Sequence, residues 1–418
     1  MYRPGGFMEY SPSDQRKFDK IIRIIKDVFE QHNFQHIWTP AVEPVDILKK
    51  WWDIIDKQVY GLFGLAQWVE DVKDYALHFD LTVPLARYVL DHRNELVFPF
   101  RRYQMQPVWR WERTKRGRYK EFWQFDVDAI WPSESNTGMW YDIETIYVLE
   151  NAFKKVLGET GIKINYKLQL SHLLLTKNWL LSKGIDDPEI MNQILKSLDD
   201  YYKIERKDFE NKISILIGSK DTEKELLDII DTQDPNYPSL QGIDGHHELM
   251  QIIEGLQWLW VSLSYNICIV RWHGYYKGMV CEWFDMDDMW LGSLAWGWRY
   301  NHLTDFIDNK QSYSWVGTSI GRFVPAVIEK MPGTEEIENY LFVNFQETYT
   351  DILSLYKRFI SRGEVCELYP ISAKLGKQFE YADRKKIRYC VILWPGEIEQ
   401  NQYKIKDLST WKEIIYDL

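Results

Sequence analysis

R-W-E-R-T-K-R-G-R-Y-K-E-F-W-Q-F-D-V-D, residues 110–128, is the stretch whose reading decides the fold. Residues 103–109 before it and 121–130 at its far end read as strands, and the basic link around Gly117 reads as the long loop of an antiparallel hairpin. Side chains alternate faces along a strand. Phe122, Gln124, Asp126 and Asp128 therefore share one face, with Arg110 and Glu112 together on the partner strand. The tip, 113–120, carries Arg113, Lys115, Arg116, Arg118 and Lys120. One hairpin thus offers a guanidinium for phosphate, a ring for stacking, a carboxylate for an amine and a cationic tip for a polyanion.

The bulk numbers narrow the setting. A chain of 418 residues implies two or three domains with ample core. No apolar run approaches the ~20 residues that span a bilayer, and no secretory h-region opens the chain. The 4 cysteines have no C-x-x-C spacing, which points to a reducing cytoplasm without structural zinc, and no H-E-x-x-H marks a metal site. P-loop and dinucleotide fingerprints are absent as well. A net charge of −11 argues against indiscriminate nucleic-acid binding while allowing a local basic patch, of which the hairpin tip is the best.

In its order the hairpin resembles motif 2 of the class II aminoacyl-tRNA synthetases, and among them the histidyl-tRNA synthetases: R-x-E-R, a G-R-Y-[RK]-E-F turn, then Q-x-x-x-[DE]. About ten ordered positions coincide, so the match is specific. Other stretches extend it. The helical pattern after Ser11-Pro12 and the strand F-Q-H-I-W-T-P-A-V-E (34–43) look like motif 1, which forms the family's dimer interface. L-H-F-D-L-T-V-P-L-A-R-Y (77–88) resembles R-x-D-L-T-x-P-x-A-R-Y, with His78 in place of the usual arginine. V-R-W-H-G-Y-Y-K-G-M-V-C-E (270–282) resembles the histidine-specific R-G-L-x-Y-Y-T-G-x-V-F-E. L-G-S-L-A-W-G-W-R-Y-N-H-L (291–303) resembles the pocket floor, and V-G-T-S-I-G-R-F-V (316–324) resembles motif 3. In motif 3 the chain departs: Arg322 follows Gly321 directly, and Val324 stands where the family has its arginine.

The resemblance implies an α+β fold: a class II antiparallel sheet core with flanking helices over 1–328, a helical insertion at about 165–260, a linker over 329–338 and a C-terminal α/β anticodon-binding domain over 339–418. It implies histidine–tRNA ligase activity, in which ATP activates L-histidine to histidyl-adenylate before transfer to tRNA(His), with Mg2+, in a cytoplasmic homodimer. Carried over residue by residue, Arg110 and Arg271 would be catalytic. Asp80, Thr82, Arg110, Gln124, Asp128, Arg271, Tyr275 and Tyr276 would bind histidine. Arg110, Glu112, Arg118, Phe122 and Arg322 would bind ATP, and Arg113, Lys115 and Arg116 would bind tRNA. The alternative is a non-catalytic relative: the regulatory subunit of ATP phosphoribosyltransferase, or a tRNA-binding pseudo-enzyme.

Composition carries one anomaly. Tryptophan is 20 against 23 glycines, where an average chain of this length would have roughly 29 glycines. Trp51, Trp52, Trp111, Trp131, Trp272, Trp296, Trp298, Trp394 and Trp411 fall where the family typically has glycine, whereas Trp109, Trp123 and Trp283 fall where aromatics are tolerated. The pattern predicts that the suspect codons are UGA, read as glycine in the source organism.

Overall fold

The computed structural model describes residues 3–49, 58–64, 74–133, 138–270, 276–301, 304–308, 312–333 and 338–418. Two compact units divide between Met331 and Pro332.

In the first unit the elements run α1 (Pro12–Gln31), β1 (Gln35–His36), β2 (Val42–Pro44), α2 (Val45–Lys49), β3 (Gly61–Leu62), β4 (Tyr75–Leu77) and α3 (Thr82–His92). Then come β5 (Phe100–Trp109), β6 (Glu121–Pro132), α4 (Gly138–Thr160), β7 (Tyr166–His172), α5 (Leu173–Ser182), α6 (Pro188–Asp199), α7 (Arg206–Ile217), α8 (Lys220–Thr232) and α9 (His246–Trp258). The unit closes with β8 (Leu263–Tyr265), β9 (Tyr276–Asp285), β10 (Ser293–Asn301), β11 (Tyr313–Ile320) and α10 (Phe323–Lys330). The main sheet has the order β1-β5-β6-β11-β10-β9-β7-β8, with antiparallel pairing throughout its centre and parallel pairs at both ends.

Sequence pattern explains how the sheet is covered. Ser11 caps α1 by accepting the Asp14 N–H, Pro12 sits in the first turn, and Phe18, Ile21, Ile24, Ile25, Val28 and Phe29 form its buried stripe. Each of these side chains contributes about 2 kcal/mol by leaving water. The stripe lies on the apolar face of the central hairpin, with Phe18 against Phe125 and Phe29 against Tyr103. The opposite face of the same two strands is polar yet buried: Arg102, Gln104 and Gln106 on β5, and Gln124, Asp126 and Asp128 on β6. They pair across the ladder as Arg102 with Asp128, Gln104 with Asp126, and Gln106 with Gln124. A sheet with one polar face sealed from water needs other partners for that face.

Two local expectations change. Arg110 and Glu112 do not continue the strand, because β5 ends at Trp109; the Arg110 N–H still reaches the Lys120 carbonyl, and the tip then turns through Gly117 at φ +70°. The stretch after 165 does not open with a helix. Its first segment, Y-K-L-Q-L-S-H, is β7, antiparallel to β9, and the helices α5–α9 follow it.

The second unit contains β12 (Asn339–Phe342), α11 (Tyr349–Ser361), β13 (Val365–Leu368), α12 (Leu375–Lys385), β14 (Tyr389–Ile392), α13 (Pro395–Glu399), β15 (Gln402–Asp407) and β16 (Glu413–Asp417). Its sheet runs β13-β12-β14-β15-β16, parallel across the first three strands and antiparallel beyond. Alternation supplies two cores. Leu341, Cys390 and Ile392 pack with Ala382 of α12, while Phe342 and Val391 pack with Ile352, Leu355 and Phe359 of α11. Neither α13 nor the final pair of strands was expected from the sequence.

Candidate active site

A cavity of about 730 Å³ lies over the polar face of β6. Asp80, Thr82, Arg110, Gln124, Asp128, Lys115, Arg118 and Arg322 line it together, so residues separated by more than two hundred positions in sequence share one space. Asp126, Glu282, Trp296, Trp298, Tyr300 and Ser319 complete much of the wall. Cys268, Tyr202 and Lys203 come from the segments around the helical stretch. Glu112, Phe122, Arg113 and Arg116 are outside the lining. Arg271 and Tyr275 lie outside the described residues, as does the side chain of Tyr276.

One end of the cavity is acidic. Asp80 precedes α3 and accepts the Val83 N–H at 3.2 Å; burial nonetheless pushes its carboxyl up to about 6. Asp126 and Asp128 are both raised, first by burial, with the fully buried Arg102 opposing the shift. Arg102 Nη2 stands 2.7 Å from Asp128 Oδ2, and the Tyr300 hydroxyl donates to the other Asp128 oxygen. Gln124 Nε2 donates to Ser319 Oγ at 3.1 Å. Among the described residues, Gln124 Oε1 and Asp126 Oδ1 are buried acceptors without a donor. Such an end suits a ligand rich in N–H donors and positive charge.

The other end is cationic. Arg110 Nε donates to the Phe79 carbonyl at 2.9 Å, and its guanidinium lies 5.1 Å from the centre of the Phe122 ring, which fixes its plane. Arg118 pairs with Glu112 at 3.2 Å. Arg322 bonds the Gly117 carbonyl at 2.9 Å and the Ser293 carbonyl at 3.0 Å, so motif 3 is tied to the hairpin tip and to the start of β10. Burial draws its pKa down to about 10. At the tip, Arg116 pairs with Asp288 at 2.9 Å, and Arg113 is exposed.

Sequence reasoning passed over Arg102, Gln104, Gln106 and Thr39, which support this surface. The Thr39 N–H donates to Gln106 Oε1 at 3.2 Å, Gln106 Nε2 returns to the Thr39 carbonyl at 2.9 Å, and Gln104 Nε2 donates to Thr39 Oγ1 at 2.7 Å. Their signal was the period-two run R-x-Q-x-Q at 102–106, polar where a strand beside an apolar helix should have a solvent face. One glycine is fixed by close approach: a Cβ at Gly317 would stand 2.0 Å from Asp128 Oδ1.

Comparison with known proteins adds an independent line. A profile of the family described as "Histidyl-tRNA synthetase" matches residues 6–321, and one described as "Anticodon binding domain" matches 339–416. The chain is 29% identical to a histidine–tRNA ligase of Finegoldia magna, across 99% of this chain and 96% of the relative. It is 31% identical to a histidine–tRNA ligase of Cutibacterium acnes, across 98% and 92%. Among solved structures it is similar to histidyl-tRNA synthetase from Nostoc sp. PCC 7120, with 25% identity, a TM-score of 0.81 and coverage of 99% and 96%. A Bacillus halodurans structure described as an ATP phosphoribosyltransferase regulatory subunit/histidyl-tRNA synthetase shares the fold at 17% identity and a TM-score of 0.74, covering 91% and 96%.

Proposed function

From the premise that this chain belongs to the histidyl-tRNA synthetase family, we propose how its residues divide the work of a histidine–tRNA ligase. The activity is ATP-dependent joining of histidine to tRNA. The observation that carries the residue assignment is the gathering of Asp80, Thr82, Arg110, Gln124, Asp128 and Arg322 around one cavity with an acceptor-rich end and a cationic end.

At the acceptor-rich end Asp80, Thr82 and Gln124 take the α-ammonium of L-histidine, and Asp128, held by Arg102 and Tyr300, takes an N–H of the imidazole. Tyr275 and Tyr276 belong to the same subsite by sequence position. At the cationic end Arg110 and Arg271 spread their charge over the α-phosphate as the histidine carboxylate attacks it and pyrophosphate leaves. Catalysis is then positioning and charge stabilisation without a covalent enzyme intermediate. Glu112, Arg118, Phe122 and Arg322 hold the nucleotide. Phe122 carries the Arg110 guanidinium on its ring, so adenine stacking would use the ring's remaining surface. Mg2+ bound with ATP would neutralise phosphate charge; Glu282, in the cavity wall, is the carboxylate that would help hold it. Arg113, Lys115 and Arg116 meet the backbone of tRNA(His), and 339–418 reads the anticodon. The assembly is a cytoplasmic homodimer.

The test is histidine-dependent ATP–pyrophosphate exchange followed by charging of tRNA(His). Arg110→Ala and Arg271→Ala should each fold and lose exchange by at least ~100-fold, the scale of one removed transition-state donor. Retention of exchange in either variant overturns that residue's role. Binding of tRNA without turnover by the glycine-restored chain would favour the pseudo-enzyme reading.

A second proposal concerns the tryptophans: that the suspect positions are UGA codons standing for glycine. Trp411 supports it, with φ +59° and 65% exposure, as does Trp260, outside the original set, with φ +58° and 89% exposure. Bulky L-residues avoid this left-handed region, which glycine enters freely. Trp296 intrudes on the cavity beside Gly321. Trp51, Trp52 and Trp272 lie outside the described residues, and Trp131 is well packed against Tyr141. Trp109 and Trp283, by contrast, bond Glu121 and Glu150 through their indole N–H, and Trp123 packs on Phe18. Reading the codons decides: UGG at the nine positions sinks the proposal. Activity is best assayed on protein from a glycine-restored gene.

A further inference from the structure

Trp298 and Tyr300 of β10 face the cavity, and the residue between them points the other way into a buried ionic cluster. Arg299 bonds Asp142 of α4 through two nitrogens, Nε at 3.1 Å and Nη2, while its Nη1 stands 3.0 Å from Glu248 Oε1 on α9. The second Glu248 oxygen is 3.3 Å from His172 Nε2. His172 Nδ1 accepts the Leu175 N–H, which leaves Nε2 as the ring nitrogen beside Glu248. One guanidinium therefore joins the floor of the cavity to the long helix behind the sheet, to the last helix of the 165–260 segment, and through Glu248 to the junction of β7 and α5.

The backbone is shaped around this contact. Trp298 pairs with Val280 and Tyr300 with Tyr276, so Arg299 faces 277–279 across a bulge. Gly278 lies there, and a Cβ on it would come within 2.9 Å of Arg299 Cδ. Gly245, just before α9, is similarly closed against the His172 ring, where a Cβ would stand 2.8 Å from Nδ1. Bulges re-aim neighbouring side chains, and the side chain re-aimed here is Tyr300, whose hydroxyl holds Asp128.

We propose that Arg299 is a positioning residue that sets the histidine subsite from behind, its Glu248–His172 link making the register of β10 depend on how α9 is seated. The inference rests on the assignment of Asp128 and Tyr300 to the histidine subsite. Removing the cation outright would leave Asp142 buried and unpaired, so the informative changes keep charge or shape. Arg299→Lys keeps the charge and loses the fork; Glu248→Gln keeps the shape and loses the link to α9.

In histidine-dependent pyrophosphate exchange by the full chain, Arg299→Lys should raise KM for histidine by about tenfold, because a small misplacement of a binding group is felt strongly. KM for ATP should stay within about twofold, since the cationic side chains stand on the hairpin tip and before α10, and Arg322 meets β10 only at Ser293, six residues from Arg299. Glu248→Gln should shift KM for histidine in the same direction, and the double variant should be no worse than Arg299→Lys alone, because the two act as one unit. Equal shifts in both KM values, or additive effects of the two changes, overturn the proposal. All variants are made in the glycine-restored gene, and absence of exchange in that parent would instead remove the reading on which the proposal rests.

Discussion

Replacing Asp80 by asparagine should make this protein more stable and less able to bind histidine. Burial raises the Asp80 carboxyl from 3.8 to about 6 in the folded chain. A raised folded pKa means the native state holds this proton more tightly than the unfolded state. Its stabilising contribution is therefore complete below pH 3.8 and is lost as pH rises through about 6. Roughly two pH units at ~1.4 kcal/mol each give about 3 kcal/mol. Asparagine does not titrate, and its Oδ1 can keep the 3.2 Å bond from the Val83 N–H. The variant's advantage should be near zero at pH 4, grow to about pH 6 and level off at ~3 kcal/mol. Histidine reverses the comparison, because its ammonium favours the ionised carboxyl; losing one charge-assisted bond of ~1.5–3 kcal/mol should weaken binding by about 10–100-fold. Urea unfolding of the full chain from pH 4 to 8, read through amide-exchange protection in β5 and β6 with and without histidine, measures both effects. Parallel pH slopes for parent and variant would refute the electrostatic reasoning. Unchanged stabilisation by histidine would remove Asp80 from the ammonium site.

Gly317→Ala should abolish histidine-dependent exchange while α1 and the apolar face of the hairpin stay protected, since the new methyl collides with Asp128 alone among charged groups. Normal activity would mean that Asp128 is not needed where it stands. Trp260→Gly and Trp411→Gly should each raise stability by about 1 kcal/mol, by relieving left-handed strain at exposed positions that lose little packing. Thermal unfolding checks this, and a fall in either midpoint would count against the glycine assignment.

The hairpin was legible because two independent signals coincide there. Period-two alternation placed Gln124, Asp126 and Asp128 on one face, and the basic tip with Gly117 marked the turn. What the alternation could not reveal was that this face is buried, with Gln104 and Gln106 bonded to Thr39 and Arg102 set against Asp128, so the polar residues of R-x-Q-x-Q on β5 form a dry bed beneath the site. The end of β5 was also hidden. Arg110 continues the alternation, but its N–H bonds Lys120 while the Trp111 N–H turns to Gln58, a partner far away in sequence. In the second unit the α/β character was expected from the resemblance, whereas β16 was not. Every residue of Glu413–Asp417 is exposed, so no burial pattern exists to betray an edge strand. β7 was missed although Y-K-L-Q-L-S alternates apolar and polar; the strand is short, and its polar members Gln169, Ser171 and His172 are buried along with Leu168 and Leu170.

The donor and acceptor inventory of the cavity limits what can fill it. Gln124 Oε1 and Asp126 Oδ1 are buried acceptors lacking donors among the described residues, and three nearby carboxyls have pKa values pushed upward. A carboxylate or phosphate placed there would add acceptors to an excess of acceptors. An ammonium with three N–H groups and a ring N–H would satisfy them and restore charge balance at once. The same inventory at the other end is inverted, with Arg110, Arg118, Lys115 and Arg322 presenting donors that a phosphate chain accepts.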